Sequence, residues 1–236
     1  MQPVISEVEQ FLTTLEPEAT PDTIWCWQIV RPPIMGKNLF SGLPVTNKRV
    51  SGWCFHASFR AARTQLAAEN ANRSAIFVAI NETDGVLRRN ATMQRIRALV
   101  LDLDGAPLEP VRALPVPNLI VESSPGKYHV YWRVTDVPLE EYARLELALA
   151  ESFDGDKSVG APSQVMRVPG FYHHKAAPFL THIIAARRTW PPTPFRLWKH
   201  ILRDKLKPRR PASTFISISC GTTSMLTVGG VGSGGT

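Results

Sequence analysis

Residues 97–104, RALVLDLD, followed by the turn Gly105-Ala106-Pro107, constrain this chain more than any other stretch. Apolar residues there alternate with two carboxylates. Successive side chains of a strand point to opposite faces, so Asp102 and Asp104 share a face with Val100, while Leu99, Leu101 and Leu103 take the other. Two acids side by side at the end of an apolar strand repel each other. A hard divalent cation removes that penalty, because Mg2+ and its relatives prefer carboxylate oxygens. Asp-Gly is also an ordinary turn signal, so the pair gains its meaning from the residues downstream.

Those residues begin with a hairpin. NLIVESS (118–124) reads as a strand, Pro125-Gly126-Lys127 as the turn, and YHVYWRV (128–134) as the returning strand. Tyr128, Val130, Trp132 and Val134 form its apolar face; His129, Tyr131 and Arg133 form the other. Pro138 then opens a helix over 139–153, with acids in its first turn. Residues 154–175, DGDKSVGAPSQVMRVPGFYHHK, lack clean periodicity and read as a functional loop with a short extended piece at QVMRV.

Upstream, the spacing of Val4, Val8, Phe11, Leu12 and Leu15 predicts a helix over 4–15, and TIWCWQIV (23–30) a strand ending at Pro32-Pro33. Residues 34–52 read as irregular, with Lys37, Lys48 and Arg49 as a basic loop. A helix is predicted over 56–71, a strand over 74–81, and a loop or hairpin tip over 82–94. Beyond the loop at 154–175, 181–188 reads as a strand and 195–206 as a basic amphipathic helix. Residues 207–236 read as a tail, first basic, then rich in Gly, Ser and Thr, and mobile. The expected organisation is one domain over 1–206, with its core at 74–188, followed by the tail.

The net charge of +7 and pI near 9.6 favour an anionic partner such as nucleic acid or nucleotide. No run of 18 apolar residues predicts a membrane span, and MQPVISEVEQF lacks the pattern of a signal peptide. Cys26, Cys54 and Cys220 have no zinc spacing and suggest no disulfide framework, so a reducing cytoplasm is the expected compartment.

Three features stand in order: Asp102/Asp104, the S-S-P-G-K-Y-H hairpin with His129, and a further acid in FDGDKS followed by R-V-P-G and Lys175. Three acids and a set of cations suit a two-metal phosphoryl-transfer site, with ions about 3.5–4 Å apart. Asp156 supplies the third acid, with Asp154 as the alternative. Lys127, His129, Arg167 and Lys175 supply groups for phosphates.

This order of motifs resembles the archaeo-eukaryotic primase superfamily, in particular the RepB-like plasmid and phage primases and primase-polymerases. The D-h-D motif is Asp102-Leu103-Asp104. The second motif, ending in histidine, runs from Ser124 to His129 and is stretched here to SPGKYH. The third acidic position is best matched by Asp156. The R-h-P-G run is Arg167-Val168-Pro169-Gly170, with Lys175 after it.

The resemblance implies an α+β fold, a single primase-like catalytic domain whose central, mainly antiparallel, RRM-like sheet is flanked by helices. The sheet is expected to include 75–80, 98–104, 118–123 and 128–134, with helices on the face opposite the acids. It implies template-directed nucleotidyl transfer in plasmid or phage replication, with Asp102, Asp104, Asp156 and His129 catalytic. The three acids would bind Mg2+ or Mn2+, and Ser124, Lys127, His129, Arg167 and Lys175 would bind nucleotide.

The implied partners are a single-stranded DNA template, nucleoside triphosphates and a helicase. No P-loop is present, so the helicase is expected on another chain or in a C-terminal region beyond residue 236. Two other readings compete. LVLDLDG resembles the nucleophile motif of haloacid dehalogenase-like phosphatases, although Ala106 stands where that family has Thr or Val. A non-catalytic single-stranded nucleic-acid-binding module would also account for the charge and aromatic strands, but not for three acids.

Overall fold

The computed structural model describes residues 1–32, 35–37, 44–46 and 52–203. Two larger antiparallel sheets dominate the described residues, beside three two-stranded hairpins. The first has the order β7-β3-β1-β2, from β1 (Ile24–Val30), β2 (Gly52–Ser58), β3 (Ala75–Ala79) and β7 (Val165–Arg167). In the second, β6 (Lys127–Thr135) lies between β4 (Ala98–Leu103) and β5 (Leu119–Ser124), and β8 (His182–Ala186) lies outside β5. Thr193–Pro194 adds a short parallel pairing at the end of β6.

One core lies between the sheets. Helix α1 (Ile5–Leu15) buries Val8, Phe11, Leu12 and Leu15 against Trp27 and Ile29 of the first sheet and Val100, Val121 and Tyr131 of the second. Helix α2 (Phe59–Ala71) adds Phe59, Ala62 and Leu66 to it. A second core covers the far face of the second sheet. There Leu99, Leu101, Leu103, Val130 and Trp132 meet helix α3 (Leu139–Phe153) and Trp198 of helix α4 (Phe195–Ile201). The alternation of 98–104 and 128–134 therefore divides as expected: leucines toward α3, acids away from it.

The α+β antiparallel class matches expectation, and α3 and α4 lie opposite the acids. The expectation that the helices all pack on that face needs correction: α1 packs on the acids' own face, against Val100 and Tyr131, because the first sheet and α1 together close it. Three further readings need correction. Strand 75–79 does not join the strands at 98–103, 119–124 and 127–135 in one sheet; it pairs with β1 and β7 in the other. Residues 56–58 are not helical. GWCFHAS alternates, packs Trp53, Phe55 and Ala57 against the core, and pairs with β1 along all seven residues of β2. The helix begins only after Ser58, whose hydroxyl accepts a hydrogen bond from the Ala61 amide at 3.3 Å. Within 34–52, Met35–Lys37 pairs with Pro44–Thr46 as a hairpin. Lys48, Arg49, the end of the predicted helix at 204–206 and the tail at 207–236 lie outside the described residues.

Among the described residues β4 has one strand neighbour, β6, and its other edge is covered by other groups. Asn81 accepts from the amides of Arg97 and Ala98 at 3.0 and 3.4 Å, and Glu146 from Val100 at 2.8 Å. The Asp102 carbonyl accepts from the Asp156 amide at 2.8 Å. An edge covered in this way offers no template for another strand.

Candidate active site

Asp102 on β4 stands opposite His129 on β6, with 3.7 Å between Oδ1 and Nε2. Both line a cavity of about 650 Å3 where the two sheets meet. Ser124, Lys127, Asp104, Asp156, Arg167 and Lys175 line the same cavity, so all eight predicted site residues come together.

The two acids of the D-h-D motif differ. Burial, then the negative charges of Asp156 and Asp104, push the Asp102 carboxyl up to about 6. Asp104 lies at the exposed mouth, where a hydrogen bond from Lys127 and then its charge hold it below the usual carboxylate range.

The third acid is positioned by packing. Helix α3 ends at Asp154, which takes the left-handed conformation at φ 53° and does not line the cavity. A Cβ on Gly155 would lie 2.5 Å from Leu101 Cδ1 and 3.0 Å from the Asp102 carbonyl, so only glycine lets the chain pass this close. The Asp156 amide then bonds to Asp102, and its carboxylate accepts from the amide and hydroxyl of Ser158, both at 2.8 Å. Gly155 is thus what brings Asp156, rather than Asp154, to the cavity.

On the facing wall, Arg167 of β7 lies over the Phe77 ring at 4.8 Å, its strand partner on β3. Burial pulls the guanidinium down to about 10, with the Asp102 charge pulling the other way. Its Nη1 is buried with no hydrogen-bond partner. Just beyond, Gly170 at φ 84° presses against α1: a Cβ there would lie 2.4 Å from the Val4 carbonyl. The Val4 amide donates to the Gly170 carbonyl at 2.8 Å. The R-V-P-G run is thus fixed to the first helix.

His129 is buried, and burial followed by the charge of Arg167 drives its imidazole down to about 3. Its approach to Asp102 has the geometry of an ion pair, but a neutral imidazole makes none. His173 also lines the cavity, pulled down to about 4 by burial and then Arg167. Sequence reasoning sets His173 aside, because Tyr172-His173-His174 lacks a His-x-His arrangement, and does not single out Phe77. Neither belongs to a motif, and both reach the site through pairing of distant strands.

Residues 62–199 match the family model of the RepB DNA-primase N-terminal domain. The chain belongs to this family of DNA primases. Solved structures share the fold. The primase-polymerase domain of cyanophage S-2L superposes with a TM-score of 0.61 at 16% identity, covering 87% of this chain and 100% of that one. The catalytic domain of primase RepB′, solved in complex with initiator DNA, gives 0.55 at 14% identity, covering 85% of this chain and 92% of that one. No curated protein matches the chain. The family match displaces the phosphatase reading of LVLDLDG. Among the described residues, no helix is long and apolar enough to cross a membrane.

The donor set of this primase-family site suits a hard cation. Asp102 carries an ionisation penalty from burial and two neighbouring carboxylates, which a divalent ion would relieve. The side chains do not converge as placed: among the described residues, no three acidic, histidine or cysteine groups form a ready cage. Asp104 turns to Lys127 and Asp156 to Ser158. Both contacts lie at exposed groups that rotate at low cost.

Proposed function

We propose that this chain is the catalytic domain, over 1–206, of a DNA primase or primase-polymerase that joins nucleotides on a single-stranded DNA template. The observation that carries the reading is the cavity itself. One wall holds carboxylates that repel one another; the other holds a buried guanidinium with an unpaired nitrogen. A metal-bound triphosphate has the charges to satisfy both.

Asp102, Asp104 and Asp156 would hold Mg2+ or Mn2+. Such ions supply activation of the primer's 3′-hydroxyl and neutralisation of the departing pyrophosphate. Arg167, with Phe77 under its plane, is held as a fork for two phosphate oxygens. Lys175 approaches from the loop beyond it, and His129 offers a neutral contact. Lys127 balances Asp104 until a ligand competes for it, and Ser124 stands at the hairpin turn. The family supports a place in plasmid or phage replication, in the cytoplasm, with helicase activity on another chain or in a further region.

Incorporation of a labelled nucleotide on a single-stranded template, with Mg2+ or Mn2+, tests the reading. Template binding without incorporation would leave the non-catalytic module in its place.

A further inference from the structure

His129 and Tyr131 are two residues apart on β6 and so share a face. The Tyr131 hydroxyl lies 3.3 Å from His129 Nδ1, and the rings meet edge to face at 6.3 Å and 82°. Phe11 of α1 closes the other side of Tyr131, edge-on at 5.5 Å. Tyr131 is wholly buried, and burial keeps it a phenol.

Which atom holds the imidazole proton depends on what each atom faces. Among the described residues, His129 Nδ1 is the one hydrogen-bond partner of the Tyr131 hydroxyl. If Nδ1 carried the proton, the phenol hydrogen would be buried without an acceptor, which is costly. The Nε2 lone pair would also face the Asp102 carboxylate oxygen at 3.7 Å. Both penalties vanish when Tyr131 donates to Nδ1 and Nε2 carries the proton.

We propose that Tyr131 is a positioning residue that locks His129 as its Nε2–H tautomer, so that the cavity receives a fixed neutral donor for an anionic phosphate oxygen. Only the identity of that ligand rests on the function proposed above. The lock extends to α1 through Phe11, which lies outside the residues 62–199 that the family model matches. The first helix thereby helps set the hydrogen bonding of the site. In this arrangement His129 donates one hydrogen bond in a fixed direction.

Long-range 1H–15N spectra of the histidine-labelled, metal-free protein decide it, with the His129 signals identified by their loss in His129→Gln. The expected wild-type spectrum has Nδ1 unprotonated and Nε2 protonated. In Tyr131→Phe the population should move toward Nδ1–H, and dATP should bind about two- to tenfold more weakly, the loss of one neutral hydrogen bond.

A protonated Nδ1 in the wild type overturns the proposal, and that spectrum decides even if the variant fails to fold. A tautomer unmoved by Tyr131→Phe overturns it too. A moved tautomer with unchanged dATP affinity overturns the donor role. If dATP binds neither protein while the tautomer moves, the lock stands and the nucleotide-transfer reading fails.

Discussion

Asp102 and Arg167 reach one cavity from different sheets, and each is strained in its own direction. On the acid wall, burial and like charges resist ionisation of Asp102. On the basic wall, burial resists the charge of Arg167 and leaves one nitrogen unpaired. Each feels the other's charge, yet no hydrogen bond joins them. Charges that could have neutralised one another are held apart, and that separation leaves room for a ligand carrying both signs. Stability is given up at both walls, a pattern common where binding and catalysis occur.

The acid wall carries the largest expected effects. Asp102→Asn should lower nucleotide incorporation by about a hundredfold or more, since several kcal/mol of charge stabilisation are at stake. The same variant should be more stable than the wild type in EDTA at neutral pH. Asp102 binds its proton more tightly when folded than unfolded, so its contribution to stability is fully present below pH 4 and is lost as pH rises through about 6. The difference is on the order of 3 kcal/mol. Chemical denaturation of both proteins at pH 4 and pH 7.5 measures it. Equal pH dependence would mean that Asp102 is not strained in the metal-free protein.

Next comes the chain path that brings Asp156 to this wall. Gly155→Ala puts a methyl group against Leu101 and the Asp102 carbonyl. Overpacking of this kind costs about 1–3 kcal/mol. Relief by moving the loop would displace Asp156, and a shift near 1 Å costs roughly a hundredfold in rate. Asp154→Gly, one residue earlier, suits a left-handed cap and should leave incorporation near wild type. If the Asp154 variant lost activity and the Gly155 variant kept it, the two acids would exchange roles.

The basic wall should respond less. Arg167→Lys keeps the charge and loses the fork, so nucleotide affinity should fall by about 1–3 kcal/mol. Template binding without nucleotide should barely change. Equal nucleotide affinities would reduce Arg167 to a structural residue resting on Phe77.

The same contrast explains what could be read in advance. The acid wall is made of adjacent strands: 98–103, 119–124 and 127–135 succeed one another along the chain, and period-two alternation assigns every side chain to a face. Asp102, Asp104 and His129 were therefore visible as a group. The basic wall joins Phe77 to Arg167, and that pairing has no local signature. The same gap put strand 75–79 in the wrong sheet and left His173 outside the expected site. β2 was missed for a different reason. Its alternating residues run directly into the Ala-rich helix, and the boundary at Ser58 is a capping hydroxyl rather than a break in composition.

The smallest effect concerns the edge of β4 behind the acids. Glu146, in the middle of α3, is buried and accepts a hydrogen bond from the Val100 amide at 2.8 Å. Among the described residues it has no ion-pair partner. Burial pushes its carboxyl well above the ordinary range, against smaller downward pulls from Val100 and Tyr142. Burial thus favours its neutral form, and the carboxyl oxygen that accepts from Val100 is what the strand edge needs. Gln keeps that oxygen, so Glu146→Gln should change stability by less than about 1 kcal/mol and leave incorporation intact. Glu146→Leu removes the acceptor and should cost about 1–3 kcal/mol, because the Val100 amide is then buried unpaired. Paired denaturation curves distinguish the cases. A large loss in the Gln variant would mean that Glu146 is ionised in the fold, and that the strain on the carboxylates extends past the cavity into the helix behind it.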